Sequence, residues 1–482
     1  MNIKIVGNYV GKALIIEAAF MLPALIIALS LGETSSAFAF LYTIIAAAAV
    51  GVLFISLKSK EEMVYSREGF VIVSITWIVL SLVGAIPFCI SKAIPNYLNS
   101  VFETVSGFTT TGASILNNVE ILPKSILYWR SFTNWLGGMG VIMFLLAIVP
   151  DIKDSGTIRM MKAESPGPVV GKLVPKLKRT AIILYEIYIA LTLLETILLL
   201  AGGVPFFDSL CIALSNAGTG GFSIKNASIG FYNDYVQIVV GIFMLLFGVN
   251  FNVFYLILLK RFKQAIRSEE FRVYCGIVIF STALITINTM NLFANIGEGL
   301  KHSFFQVATI ISTTGFATTD FNLWPEFSKC LMVLLMLIGA CAGSTAGGTK
   351  IARTLILIKS FKNTIQKLIH PRSVKIIKID GEKTEENSVK EVHAYFTAYV
   401  LIFAVSILAV SFDNFGFDTT ITSVAATLNN IGPGLGAIGP TGNYAGFSAF
   451  SKIVLILDML IGRLEIFPVL MLAAPSIWKR QK

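Results

Sequence analysis

Four times along this chain, a long apolar segment is followed by one about half as long, and the short one ends in a run rich in glycine and threonine. A second long apolar segment then follows. The short segments cover 98–108, 206–217, 302–312 and 418–429. Their terminal runs read "SGFTTTGASI" (106–115), "SNAGTGGFSI" (215–224), "ISTTGFATTDF" (311–321) and "LNNIGPGLGAIG" (428–439). A composition of 55% hydrophobic and 14% charged residues places these segments in a bilayer. Crossing one takes about 20 apolar residues in a helix, whereas about 11 reach only ~16 Å. The short segments therefore dip in and return. Non-helical backbone at that depth must be buried in protein or line water.

The pattern sets the organisation. Two spans at about 10–31 and 36–57 form a hairpin around "GETSS", giving an N-terminal unit over 1–58. Four repeats follow over 59–150, 151–262, 263–360 and 361–482, with flanking spans at 69–94 and 125–149, 180–202 and 235–259, 273–294 and 329–358, and 394–412 and 451–474. The expected fold is an all-α polytopic membrane protein with four similar units in pseudo-fourfold arrangement plus two N-terminal helices. Inverted repeats, a frequent mark of secondary transporters, are not expected; the units run parallel. A membrane accessory or receptor-like protein that conducts nothing would have no need of four such loops.

Charge gives the orientation. The net charge is +10, and the basic residues cluster in the loops at 151–179, 260–272 and 359–393. That is the distribution of cytoplasmic loops, so nucleic-acid binding is rejected, both termini are expected in the cytoplasm, and the glycine/threonine runs open to the outside. The N-terminus lacks a convincing cleavage site for a signal peptide. Five dispersed cysteines and three dispersed histidines offer no disulfide framework, zinc site or hydrolase triad, and no enzymatic activity is expected. "GPGLGAIG" mimics a phosphate loop but follows a membrane segment, not a soluble strand.

Aligned on their glycines, the loops read Thr110-Thr111-Gly112, Thr219-Gly220-Gly221, Thr313-Thr314-Gly315 and Asn430-Ile431-Gly432. A dehydrated cation needs oxygens in place of its water, and four extended loops can supply rings of backbone carbonyls. Aligning successive carbonyls requires unusual backbone angles, which glycine adopts at little cost. Each short helix would also direct its partly negative C-terminus toward the cation. These residues are the expected filter for a dehydrated cation.

Two further stretches suggest a gate. The span 329–358 would measure ~45 Å as one helix, against ~30 Å of hydrocarbon. Its middle, "GACAGSTAGGTK", spaces Gly339, Gly343 and Gly347 for close helix packing. Alternatively, Gly347-Gly348 breaks the helix and lays a segment across the pore. Arg463 lies within the last long span, where a charge is costly and usually faces a cavity or a partner such as Glu465 or Asp458. Lys350 adds a second positive charge.

The loops, with "SREGF" (66–70), "NWLGGMGVIMF" (134–144) and "GSTAGGTKIAR" (343–353), resemble the Trk/Ktr/HKT superfamily of potassium transporters over nearly the whole chain. The two extra N-terminal spans point to its TrkH/TrkG branch. The resemblance implies four tandem M1–P–M2 units akin to a potassium channel, and a homodimer with one pore per protomer in the cell inner membrane. It also implies an intramembrane loop that obstructs the pore beside an arginine, and a TrkA-type cytosolic ring with nucleotide-binding domains as partner. Symport of K+ with Na+ or H+, or a less selective K+/Na+ pore, are the alternative readings.

Overall fold

The computed structural model describes residues 3–56, 66–140, 177–371 and 376–478. The expected basic loop at 151–179 therefore lies outside the described residues except for its last three. The chain is almost wholly helical; among the described residues, strand pairing is confined to a small hairpin of Lys378–Ile379 with Glu382–Lys383.

Among the described residues, six helices are long and apolar enough to cross a membrane: Ile3–Ser30, Thr34–Ser56, Glu68–Ile90, Ala181–Ala201, Glu269–Leu292 and Glu386–Asp413. Proline punctuates several. Pro23 and Pro87 each sit at the start of a renewed helical stretch, where a missing N–H costs nothing. In the N-terminal hairpin Gly11 and Gly51 meet so closely that a Cβ on either would collide with the other's carbonyl oxygen.

Enclosed by these spans are four shorter helices, Tyr97–Phe108, Phe206–Ala217, Ile296–Ile311 and Phe417–Leu428. They are buried along most of their length even though they carry serines, threonines and asparagines, which marks them as interior elements with partners on all sides. Asn96 and Asn295 start two of them by accepting the amides of Asn99 and Glu298.

The second long helix is interrupted in the second, third and fourth repeats, a break anticipated from the sequence only for the third. The expected span at 125–149 is described as Lys124–Met139, and residues 141–149 lie outside the described residues. The stretch at 235–259 forms Asp234–Phe247 and Phe251–Leu258, bent by 93°. Asn250 causes the turn locally by capping Asn252, while Gly248 has no room for a side chain beside the Tyr274 hydroxyl. The stretch at 329–358 forms Glu326–Ile338 and Ile351–Ile369, with the residues between them irregular. The stretch at 451–474 forms Ala449–Arg463 and Phe467–Ala473. There Glu465 and Ile466 take φ of 65° and 64° just before Pro468, which cannot continue the preceding ladder. Residues 359–369, expected as loop, continue the helix that begins at Ile351.

Candidate functional site

The four loops after the short helices share one backbone design. In the first, the amide of Thr110 donates back to Gly107 at 3.0 Å and that of Thr111 to Ser106 at 2.8 Å. In the second, Thr219 donates to Asn216 (2.8 Å) and Gly220 to Ser215 (2.9 Å). Thr313 and Thr314 bond likewise to Ile310 and Thr309, and Asn430 and Ile431 to Thr427 and Ala426. Two amides of each loop are thus turned back into its own helix.

Alternating backbone hand produces this arrangement. Gly112, Gly221, Gly315 and Gly432 have φ of 76°, 66°, 90° and 93°. Two residues earlier, Thr110, Thr219, Thr313 and Asn430 have φ of 56°, 55°, 57° and 54°. Sequence reasoning assigned the left-handed conformation to glycine alone. The threonines share it, although a β-branched side chain resists it most.

The loops close into a ring. A Cβ on Gly112 would overlap the carbonyl oxygen of Gly220, and one on Gly221 that of Thr314. One on Gly315 would overlap the Ile431 carbonyl, and one on Gly432 would crowd that of Thr111. Each glycine therefore faces the carbonyl of the next loop in order, from first to fourth and back to the first. Glycine is required here twice, by its angle and by the neighbour's approach.

At the lower edge of the ring the side chains differ. The Thr110 hydroxyl is buried, Thr219 donates to Gly218, and Asn430 donates to the Thr111 hydroxyl at 2.9 Å. Thr313 accepts the amide of Gly347 at 2.7 Å, and Gly347 lies against the Asn429 carbonyl. The irregular segment between Ile338 and Ile351 therefore lies directly under the third and fourth loops. It turns at Gly339, Gly343, Gly348 and Lys350, with φ of 71°, 68°, 77° and 73°. The four-residue glycine spacing consequently does not lie on a helix.

This segment is held from several sides. Arg463 donates to the Thr345 carbonyl at 2.7 Å and to the carbonyls of Gly137 and Gly138. Lys350 folds back onto the Ala346 carbonyl. Neither of the partners suggested for Arg463 by sequence proximity is engaged that way: Glu465 pairs with Arg353, and Asp458 accepts from Ser406 at 2.7 Å. Sequence reasoning missed Glu270, whose carboxylate accepts the amides of Ala342 (2.6 Å) and Ala352 (3.1 Å), one near each end of the segment. A buried carboxylate in the first turn of a long apolar helix was the available signal.

Outside the ring, neighbouring loops are cross-linked. Gly230 donates to the Ala317 carbonyl at 3.1 Å, Gly436 to Asn322 at 2.9 Å and Tyr444 to the Ser114 carbonyl at 2.8 Å. The motif "NWLGGMG" serves packing: Gly137 abuts the Phe108 carbonyl, and Gly138 abuts Gly218 and the Tyr188 hydroxyl.

Known proteins are similar to this chain over nearly its whole length. A family model described as TrkH, a cation transport protein, matches residues 36–480. The Trk system potassium uptake protein TrkH of Salmonella typhimurium is 36% identical, covering 99% of this chain and 100% of that protein. The Trk system potassium uptake protein TrkG of Escherichia coli is 31% identical over 99% of each chain. The crystal structure of the potassium transporter TrkH from Vibrio parahaemolyticus matches with a TM-score of 0.88 at 30% identity, covering 99% of this chain and 100% of that one. The chain is a multi-pass membrane protein that belongs to the TrkH family of cation transport proteins.

Proposed function

We propose that this chain takes up potassium across the cell inner membrane through a pore lined by the four loops. The closed ring of four loops, each glycine against the carbonyl of the next loop, supports this reading, since rings of backbone carbonyls can replace the hydration shell of a dehydrated cation. Residues 110–112, 219–221, 313–315 and 430–432 form the filter and bind K+ in passage. The four short helices place their partly negative C-termini at its inner edge. Each protomer of a homodimer carries one pore, built from four M1–P–M2 units, and both termini lie in the cytoplasm.

The segment from Gly339 to Lys350 and the Arg463 side chain form the gate. Gly347 on Thr313, and Arg463 on Thr345, support this reading. A TrkA-type cytosolic ring docks through the basic stretches 151–179 and 359–393 of the sequence and moves the segment. The test is flux in liposomes containing the purified chain under an imposed voltage. Rubidium and potassium should enter much faster than sodium, with no co-flux of sodium or protons. Equal sodium and potassium flux would leave a less selective pore, and stoichiometric co-flux would make the protein a symporter.

A further inference from the structure

A buried ion pair lies behind the first loop. Glu103, on the helix Tyr97–Phe108, accepts from Arg130 Nε at 2.6 Å, and the two side chains are 0% and 4% exposed. Each partner also holds a different loop. Glu103 accepts the Ile115 amide at 2.9 Å and the Ser114 hydroxyl at 3.0 Å, just beyond Gly112. Arg130 donates to the Ser223 carbonyl at 2.8 Å, and its guanidinium lies 3.6 Å from the centroid of the Phe222 ring, just beyond Gly221.

Among the described residues, the other repeats have no counterpart to this arrangement. Nine residues before their glycines stand Ile212, Gln306 and Ser423, where the first repeat has Glu103. Gln306 reaches only the Thr319 carbonyl of its own loop, at 3.0 Å. Ser423 bonds within its own helix, and Ile212 offers no polar group. A buried ion pair adds little net stability, because desolvation offsets the attraction. Its better-attested use is registry, and a charge-assisted bond to a planar guanidinium fixes both distance and angle.

We propose that the Glu103–Arg130 pair is a positioning strut that sets the spacing of the first and second loops and so determines preference for potassium over sodium. The proposal rests on the pore reading above. The ring has no slack at this level, because Gly112 already abuts the Gly220 carbonyl. A lateral shift of either loop therefore changes the size of the ring.

The test uses the full chain in liposomes and measures rubidium and sodium flux for three variants. Glu103→Gln keeps the shape and an acceptor but removes the charge. Ser114→Ala deletes one contact and leaves the ion pair. Gly315→Ser perturbs the filter far from the strut. Glu103→Gln should lower the rubidium-to-sodium ratio by about threefold or more while total cation flux persists, and Ser114→Ala should lower it less. Wild-type ratios in both, with a lowered ratio in Gly315→Ser, overturn the strut and leave the pore reading intact. Wild-type ratios in all three overturn the pore reading itself. If Glu103→Gln yields no monodisperse protein, Ser114→Ala decides, and an unchanged ratio in that variant rejects the strut.

Discussion

Threonine in a left-handed conformation is the most telling feature at the residue scale. Such a residue costs on the order of 1–3 kcal/mol, so three threonines in one ring require a compensating role. Here each of Thr110, Thr219 and Thr313 donates its amide back to its own helix while the chain turns, two residues on, to the glycine that meets the next loop. The glycines were legible in the sequence, because their recurrence at equivalent places implies positive φ. The threonine angles were not, since nothing in the residue type suggests them. Gly315 has a φ of 90° and abuts the Ile431 carbonyl, so a side chain there meets both strain and collision. Gly315→Ser is expected to reduce the rubidium-to-sodium flux ratio by about tenfold, as the ring dilates around the added atoms. Flux of both ions in liposomes measures it, and an unchanged ratio would remove these loops from the selectivity mechanism.

Interrupted helices are the corresponding theme among the elements. Removing Arg463 as Arg463→Ala releases the bonds to Thr345, Gly137 and Gly138. It also removes a charge that repels a passing cation by ~4 kcal/mol at 4 Å and an effective dielectric of 20. Even ~1.4 kcal/mol off the barrier is about tenfold in rate, so basal rubidium uptake without any partner should rise by about that factor. Wild-type or lower uptake by well-folded Arg463→Ala protein would rule out the gate. A second expectation concerns the N-terminal hairpin. Glu33 in its turn accepts the amides of Lys124 (2.8 Å) and Ser125 (3.2 Å), capping the helix that carries Arg130. Glu33→Ala should cost about 1 kcal/mol and lower the apparent Tm in detergent. An unchanged Tm would make the hairpin a passive attachment.

For the whole molecule, the expected orientation rests on where the lysines and arginines lie in the sequence, and topology is directly measurable. A cysteine placed at Asn117 should react with a membrane-impermeant reagent added outside intact cells, whereas one at Ser165 should react only after permeabilisation. The reverse pattern would invert the protein and put the ring on the wrong side for uptake. In the structure Asn117 accepts from Asn443 at 2.8 Å, within the same outer layer of loops that links the first repeat to the fourth. That contact joins residues 326 positions apart, which no local pattern announces.

The sequence by itself determined the membrane location, the four short segments and the glycine positions. Each follows from local quantities: segment length against bilayer thickness, and residue type against backbone angle. Near Gly347 the sequence left helix packing and a helix break both open, and the third short helix, Ile296–Ile311, begins six residues before its expected start at 302. Only the tertiary structure decided which charges meet. Arg463 had Glu465 two residues away, yet Glu465 turned to Arg353 and Arg463 took backbone carbonyls from two other repeats. The same holds for Glu103 with Arg130 and for Glu270 with Ala342 and Ala352. A buried charge reveals in the sequence that it must have a partner, because the bilayer supplies none. Which partner it finds depends on how the repeats pack around their common axis, and that is a property of the assembled ring.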